Sequence, residues 1–144
     1  MDISDKVKRF CDAWQGISMV YEDYARSLGM SYTSLHILDT VYWNDGCTQK
    51  QISEKTLLPK QTINNIITAY YKNGYVELRE LPENRRVKTM HLTTAGKEYA
   101  ESVIPQIHHA NIRAMEKLSE EEQDEMIRLT ERYMSAFHAE MFGD

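Results

Sequence analysis

The chain has 144 residues, of which 42% are hydrophobic and 27% charged, and its formal net charge is −5. This balance, with only three Pro and six Gly, fits one compact domain and excludes a disordered, fibrous or turn-rich all-β chain. Cys11 and Cys47 make no disulfide framework, the N-terminus lacks the apolar core of a signal peptide, and no apolar run approaches the roughly 20 residues of a membrane helix. We therefore expect a cytoplasmic protein with no membrane partner.

The first predicted helix covers residues 5–28, where apolar side chains recur at steps of three and four. Its stripe includes Trp14 and Tyr21, and so long a stripe needs an extensive partner to bury it. Ser31 is expected to cap a second helix, which carries apolar residues at helical spacing and ends at the turn 44–46.

Two shorter helices follow. Thr48 is predicted to cap the first of them, with Ile52 facing inward and Leu57 and Leu58 closing its end. The second covers residues 60–73 and buries a stripe of isoleucines.

The apolar period then changes from 3.6 to 2, which predicts two strands over residues 75–79 and 87–92, joined by a loop over 80–86. A long helix is expected from Thr93 to about Lys117, with a kink at Pro105. The last helix begins after a capping box of Ser119 with Glu122 and extends to about residue 142.

The exposed side of the 60–73 helix is polar but carries no carboxylate between residues 60 and 68. Amides donate to and accept from base edges, whereas a merely solvated helix more often carries Glu and Lys. The charge distribution agrees, because residues 48–97 hold nine basic and four acidic side chains and the rest of the chain is acidic. Chance clustering on a solvated face is the alternative. The residues predicted to contact DNA are Thr48, Gln49, Lys60, Gln61, Thr62, Asn64, Asn65, Thr68, Arg85, Arg86 and Lys88.

Helix–turn–helix followed by a β-hairpin is the order of a winged helix–turn–helix. Five segments resemble, in register, the MarR family of bacterial transcription regulators: residues 48–53, 59–67, 73–76, 82–86 and 92–96. The first two are similar to the DNA-binding helices, the next two to the wing, and the last to the Leu-Thr-x-x-Gly entry of the following helix.

The wing departs from the family pattern, because Leu81 and Asn84 stand at the two Asp positions of Asp-Pro-x-Asp-Arg-Arg. Asn84 can still form a hydrogen bond to Arg86, but without the charge assistance that an Asp would provide. Arg85 and Arg86 are expected at the hairpin tip, shaped for a narrow minor groove.

The resemblance implies a mainly α fold with a small β-hairpin wing, one domain over 1–144, acting as a homodimer. Residues 1–30 and 93–144 would form interlocking dimerisation helices, and 31–92 the DNA-binding part. Two recognition helices would then read a pseudo-palindromic operator. The implied function is a ligand-responsive repressor, with no cofactor and no enzymatic activity; no phosphate loop or nucleophile motif is present.

Family members respond to small aromatic compounds, and the residues expected to line such a site are Trp14, Tyr32, His36 and Tyr42. Each of them, taken singly, is more typical of an aromatic core residue. Two variants of the regulator are less favoured: Cys11 lies about one turn after the reactive cysteine of the peroxide-sensing branch, so we expect a buried, inert thiol. A zinc site lacks ligands, since Leu35 precedes His36 where the zinc branch has Glu, and the adjacent His108 and His109 point about 100° apart. A winged helix that binds protein rather than DNA is a further alternative.

Overall fold

A computed structural model of the chain describes residues 1–143, which form six helices and three strands. The mainly helical architecture with a small wing is confirmed. The elements in chain order are α1 Ile3–Ser27, α2 Tyr32–Trp43, β1 Cys47–Thr48, α3 Gln49–Thr56, α4 Lys60–Lys72, β2 Val76–Leu81, β3 Asn84–Leu92, α5 Thr94–Met115 and α6 Glu120–Phe142.

The three strands form one antiparallel sheet in the order β1-β3-β2. β1 was not predicted; it pairs Cys47 with Met90 and is only two residues long. The predicted loop over residues 80–86 is wrong, because β2 and β3 extend to a turn at Pro82 and Glu83. Both faces of this ribbon are exposed to water and carry charged residues. The strand ends therefore lack the alternation of apolar and polar residues from which strands are predicted.

The core lies between α2, α3, α4, the first half of α5 and the sheet. Of the sixteen buried hydrophobic residues in the described part of the chain, seven are apolar positions predicted for α2, α3 and α4, which confirms their helical stripes. The largest fully buried side chains are Leu35, Ile37, Leu38, Val41, Ile52, Ile63 and Ile104. Tyr70 fastens α4 to α2, because its hydroxyl donates a hydrogen bond to the Ser34 carbonyl at 2.8 Å.

Close backbone contact joins the base of the wing to α5. A Cβ added to Gly96 would lie 1.9 Å from the Tyr75 carbonyl oxygen, so this position admits only glycine. Thr93 caps the helix start, since its hydroxyl accepts from the Gly96 amide at 3.0 Å. The Tyr75 and Tyr99 rings stack nearby with centroids 4.7 Å apart. These contacts set the direction in which the wing leaves the core.

The chain divides at Pro105 into two compact units, Met1–Ile104 and the residues from 105 onward, although α5 passes that proline as one helix. In the second unit, Ser119 and Glu122 form the predicted capping box of α6. Gln123 Nε2 donates to the carbonyls of Met115 at 3.1 Å and Leu118 at 3.0 Å. It thereby satisfies backbone groups that the end of α5 leaves open.

The helices nearest the termini have little core of their own. Ala25 is the one buried residue of α1, and none of the described residues of α6 is buried. Cys11 is exposed, so the expectation of a buried thiol is wrong for the single chain, whose α1 stripe lies uncovered. Within residues 1–143, no helix is long and apolar enough to cross a membrane.

Candidate nucleic-acid interface

The exposed face of α4 is positioned by its buried face. Ile63, Ile67 and Tyr70 point into the core, and a helix rotates about 100° per residue, so residues three or four apart share a side. This places most of the predicted DNA-contacting residues of α4 in solvent; the exposed ones are Lys60, Gln61, Asn64, Asn65 and Thr68. Thr62 is half-buried on the flank of the helix, which makes it the least accessible of the six.

The helix–turn–helix corner has an unusual backbone. Leu57 ends α3, as predicted, with a positive φ of 56°, and its side chain is 87% exposed. The sharp turn into α4 requires a left-handed residue at this position, which turns the side chain to water. Pro59 then precedes the first turn of α4.

Two predicted contact residues also hold the corner together. The Thr48 hydroxyl accepts from the Gln51 amide at 3.2 Å, and the Gln51 side chain accepts from the Thr48 amide at 2.9 Å, which completes a capping box. Gln49 Nε2 donates to the Lys60 carbonyl at 3.2 Å. The start of α3 is thereby tied to the start of α4, and both helix N-termini are close together.

A groove of about 700 Å³ runs between α3, α4 and the wing, and we call it the wing groove. It gathers seven of the eleven residues predicted to contact DNA: Thr48, Gln49, Lys60, Asn64, Thr68, Arg86 and Lys88. Four cationic side chains, those of Lys50, Lys60, Arg86 and Lys88, line it against the single carboxylate of Glu54. Its cations suit a polyanionic partner.

The polar lining residues that were not predicted to contact DNA are Lys50, Ser53 and Glu54. They lie on the side of α3 away from the buried Ile52 and Thr56. The same helical spacing that identified Ile52 as a core residue could have identified them.

The wing arginines occupy strand rather than loop. Both Arg85 and Arg86 lie on β3, one and two residues after Asn84, and both are exposed. Arg86 lines the wing groove, whereas Arg85 is not among its lining residues. Asn84 Oδ1 accepts from the backbone amide of Arg86 at 3.1 Å, so it fixes the main chain after the turn rather than the guanidinium.

Outside the wing groove, Gln61 and Asn65 form a hydrogen-bonded pair on the outermost ridge of α4. Gln61 Nε2 donates to Asn65 Oδ1 at 2.9 Å. The remaining members of the predicted set are Thr62, which is half-buried on α4, and Arg85, which is exposed on β3.

The residues predicted to bind an effector fall into separate places. Tyr32 and His36 lie on α2 with ring centroids 5.8 Å apart. Tyr21 of α1, which is not one of the residues predicted to bind an effector, contacts Tyr32 edge-on with ring centroids 6.1 Å apart. Burial raises the pKa of the Tyr32 phenol, which therefore stays protonated at neutral pH. Tyr42 packs edge-on against Trp43 at 4.8 Å, and Trp14 is 62% exposed on α1.

The groups considered for redox or metal chemistry stand apart. Burial raises the pKa of the Cys47 thiol, which keeps it protonated, and Cys11 is exposed. The His108 and His109 rings have centroids 6.3 Å apart. In the part of the chain that the structure describes, no three His, Cys, Asp or Glu side chains come together as a metal site.

Comparison with known proteins gives one family throughout. The sequence model of the MarR family matches residues 28–87. The chain is 28% identical over 124 residues to the uncharacterized HTH-type transcriptional regulator YkoM of Bacillus subtilis, covering 85% of this chain and 80% of that protein. It is 26% identical over 121 residues to the HTH-type transcriptional repressor YetL of the same organism, covering 82% of this chain and 72% of that protein.

A solved structure of Streptococcus pneumoniae FabT in complex with DNA has the same fold. Its TM-score is 0.76 at 21% identity, and the match covers 94% of this chain and 97% of that chain.

Proposed function

We propose that the chain, whose residues 28–87 the MarR family model matches, is a transcription regulator of that family that binds duplex DNA as a homodimer. The observation that carries the proposal is the wing groove, where α3, α4 and β3 bring four cations and four uncharged polar residues of the predicted set onto one surface. The relatives agree in kind: YetL is named a transcriptional repressor, and FabT has been solved with DNA. Such a regulator works where the DNA is, in the cytoplasm.

In the proposed complex, α4 enters the major groove with its polar face toward the bases. Gln61, Asn64 and Asn65 supply amides for base edges, with Thr62 and Thr68 at the flanks. Lys60 and the adjacent helix N-termini suit phosphates, because unpaired N–H groups and the helix dipole favour anions there. Thr48 and Gln49 stand beside the same N-termini.

The wing supplies the second contact. Arg85 and Arg86 follow the turn of a thin ribbon, and Lys88 lies two residues further along the same strand. A guanidinium on such a ribbon fits the narrow, strongly negative minor groove of A·T-rich DNA. Of the two arginines, Arg86 is the one that also lines the wing groove.

The homodimer is supported by the apolar side chains of the terminal helices. Trp14 and Ile17 on α1, and Phe137 and Met141 on α6, are each more than half exposed in the single chain. Exposed apolar stripes of this kind mark an interface, and pairing residues 1–30 and 93–144 with a second copy would bury them. A two-fold dimer then spaces its half-sites by about one helical turn, roughly 34 Å.

We further propose that the regulator is a repressor whose DNA affinity changes when a small aromatic compound binds near Trp14, Tyr32, His36 or Tyr42. The aromatic contacts of Tyr32 with Tyr21 and His36 support a site there. Such a compound acts only if it favours one spacing of the two recognition helices over the other. Calorimetry with a panel of phenolic acids tests this, and the absence of heat with every member would contradict it.

The decisive experiment is selection of bound sites from random duplex DNA, followed by titrations across a salt series. We expect a pseudo-palindrome and an affinity that falls steeply with salt. Arg86→Ala should remove about one phosphate contact in each half-site. The slope of log affinity against log salt should therefore become shallower by roughly 0.9 per half-site. The matched control is Arg26→Ala, at the far end of α1 beside Asp23, which should leave the slope unchanged.

A winged helix that binds protein without DNA affinity gives a different result. Weak binding to every duplex, with no salt slope and no change in the double variant Arg85→Ala with Arg86→Ala, would favour that alternative over the proposed regulator.

A further inference from the structure

The outermost ridge of α4 carries two amides that are joined to each other, and we call Gln61 and Asn65 the amide pair. Successive residues rotate by about 100°, so both lie opposite the buried Ile63 and Ile67. The ridge opposite the core reaches furthest from the protein. In the proposed complex it is therefore the part of α4 that goes deepest into the major groove.

The hydrogen bond inside the amide pair gives it a fixed polarity. Gln61 Nε2 donates to Asn65 Oδ1 at 2.9 Å, which uses one of the two hydrogens on that nitrogen. The second Nε2 hydrogen and the Oε1 carbonyl remain on the same planar group. Gln61 thus presents one donor and one acceptor, and Asn65 limits the rotation of the amide that carries them.

One base edge matches that polarity. In the major groove adenine offers the N7 acceptor beside the N6 donor, whereas guanine offers two acceptors, N7 and O6. Against guanine, the Gln61 carbonyl would face O6 with no hydrogen between them, and one buried acceptor would be left unpaired. The geometry of the amide pair therefore favours adenine.

We propose that Gln61 reads one adenine in each half-site and that Asn65 is a positioning residue, which acts by presenting the Gln61 amide. This inference rests on the proposed function and names the base chemistry that α4 recognises. It assigns the two residues to one base pair. Asn64 lies on a different row, with Lys60 and Thr68 in the wing groove, and serves a different position.

The test begins with selection of bound sites from random duplex DNA by the wild type, Gln61→Ala, Asn65→Ala and Asn64→Ala. We expect Gln61→Ala to lose about 10-fold or more of the preference for adenine at one position of each half-site. Asn65→Ala should weaken the preference at that same position by several-fold. Asn64→Ala is the matched control, an exposed amide on the neighbouring row, and should leave that position unchanged.

Two further measurements separate positioning from helix stability. Asn65→Asp keeps an oxygen that accepts from Gln61 Nε2, so it should restore the ratio of adenine to guanine affinity even if added charge weakens all binding. Replacing the target adenine by 7-deazaadenine removes N7. It should cost the wild type and Asn65→Asp several-fold in affinity and cost Gln61→Ala little. Circular dichroism at working concentration checks that each variant is folded.

The outcomes distinguish the inference from the function on which it rests. If the wild type selects no sequence, the proposed function and the inference both fail. If it selects a palindrome but Gln61→Ala and Asn65→Ala alter different positions, the inference alone is overturned. It is also overturned if the wild type prefers guanine where Gln61→Ala loses selectivity, or if Asn65→Asp behaves like Asn65→Ala.

Discussion

The winged segment, residues 31–92, and the terminal helices α1 and α6 use their apolar residues differently. In the winged segment, side chains such as Leu35, Ile52 and Ile63 are at most 1% exposed within one chain. On α6, Phe137 is 55% exposed and none of the described residues is buried. The first region contains its own core, whereas the second presents the apolar surface of half an interface.

This difference explains how one short chain serves two tasks. The DNA-facing helix needs a rigid base, which the internal core and the Tyr70 hydrogen bond to Ser34 provide. The terminal helices leave their apolar stripes available to a second copy, and in the proposed homodimer the spacing of the two recognition helices would depend on that partner. A change of that spacing would therefore arise in the region without its own core.

The largest expected effect comes from making the same substitution where α5 contacts the base of the winged segment and in the terminal helix α1. Gly96→Ala would place a Cβ 1.9 Å from the Tyr75 carbonyl, so the backbone at the base of the wing must move. We expect a loss of at least about 3 kcal/mol in the free energy of unfolding, measured by urea denaturation.

Gly16→Ala on α1 is the matched control, because an added Cβ there meets nothing within 4 Å. Alanine should stabilise the exposed helix by up to about 1 kcal/mol. Equal effects of the two substitutions would contradict the contrast between the regions.

The next effect concerns the terminal helices alone. If their stripes are buried between two copies, unfolding is coupled to dissociation, and each tenfold dilution should lower the apparent Tm by about 3 °C. Phe137→Asp places a charge in that surface and should give a monomer in sedimentation, with a Tm independent of concentration. A wild-type Tm that is constant over a hundredfold dilution would argue against the dimer.

A smaller effect is expected in the winged segment at alkaline pH. Burial raises the pKa of the Tyr70 phenol above its ordinary value of 10.0. The unfolded chain therefore releases this proton first, and the stability contributed by neutral Tyr70 is present below pH 10 and is lost as the pH rises above it. Tyr70→Phe should cost about 1 kcal/mol at pH 7 and flatten the decline above pH 10, as followed by urea denaturation.

Tyr71→Phe is the control for that measurement, since Tyr71 is the exposed neighbour on the same helix. It should change neither the stability at pH 7 nor the alkaline decline. An alkaline decline that Tyr70→Phe leaves unaltered would show that another group causes it.

How far the sequence predicts this protein also depends on the region. Helical spacing identified Ile52, Ile63 and Ile67 as core residues because one face of each helix is dry and the other wet. It missed β1, since two residues such as Cys47 and Thr48 are too few to show a period. The strands predicted for the wing are shorter than those observed, because both faces of that ribbon are exposed and show no alternation of apolar and polar residues.

The sequence predicted which residues belong to the candidate site better than it predicted how those residues are arranged. Residue type and spacing selected Asn64, Lys60 and Arg86, and the fold places all three on the wing groove. Sequence gave no means of finding the Gln61–Asn65 hydrogen bond, because it depends on side-chain rotamers at helical positions four apart. Nor could it show that Trp14 stands apart from Tyr42, which requires the packing of separate helices.

The smallest expected effect concerns Leu57, the most exposed large apolar side chain of the winged segment. A leucine with φ of 56° is strained by about 1 kcal/mol or more, and a side chain that is 87% exposed recovers little of that by packing. Leu57→Gly removes the strain but adds backbone entropy to the unfolded chain, so we expect a net gain of about 0.5 kcal/mol in the free energy of unfolding. Leu57→Ala keeps the Cβ and should gain nothing. If alanine stabilises as much as glycine, exposure of the apolar side chain and not the backbone is the source of the cost, and the corner between α3 and α4 is relaxed as it stands.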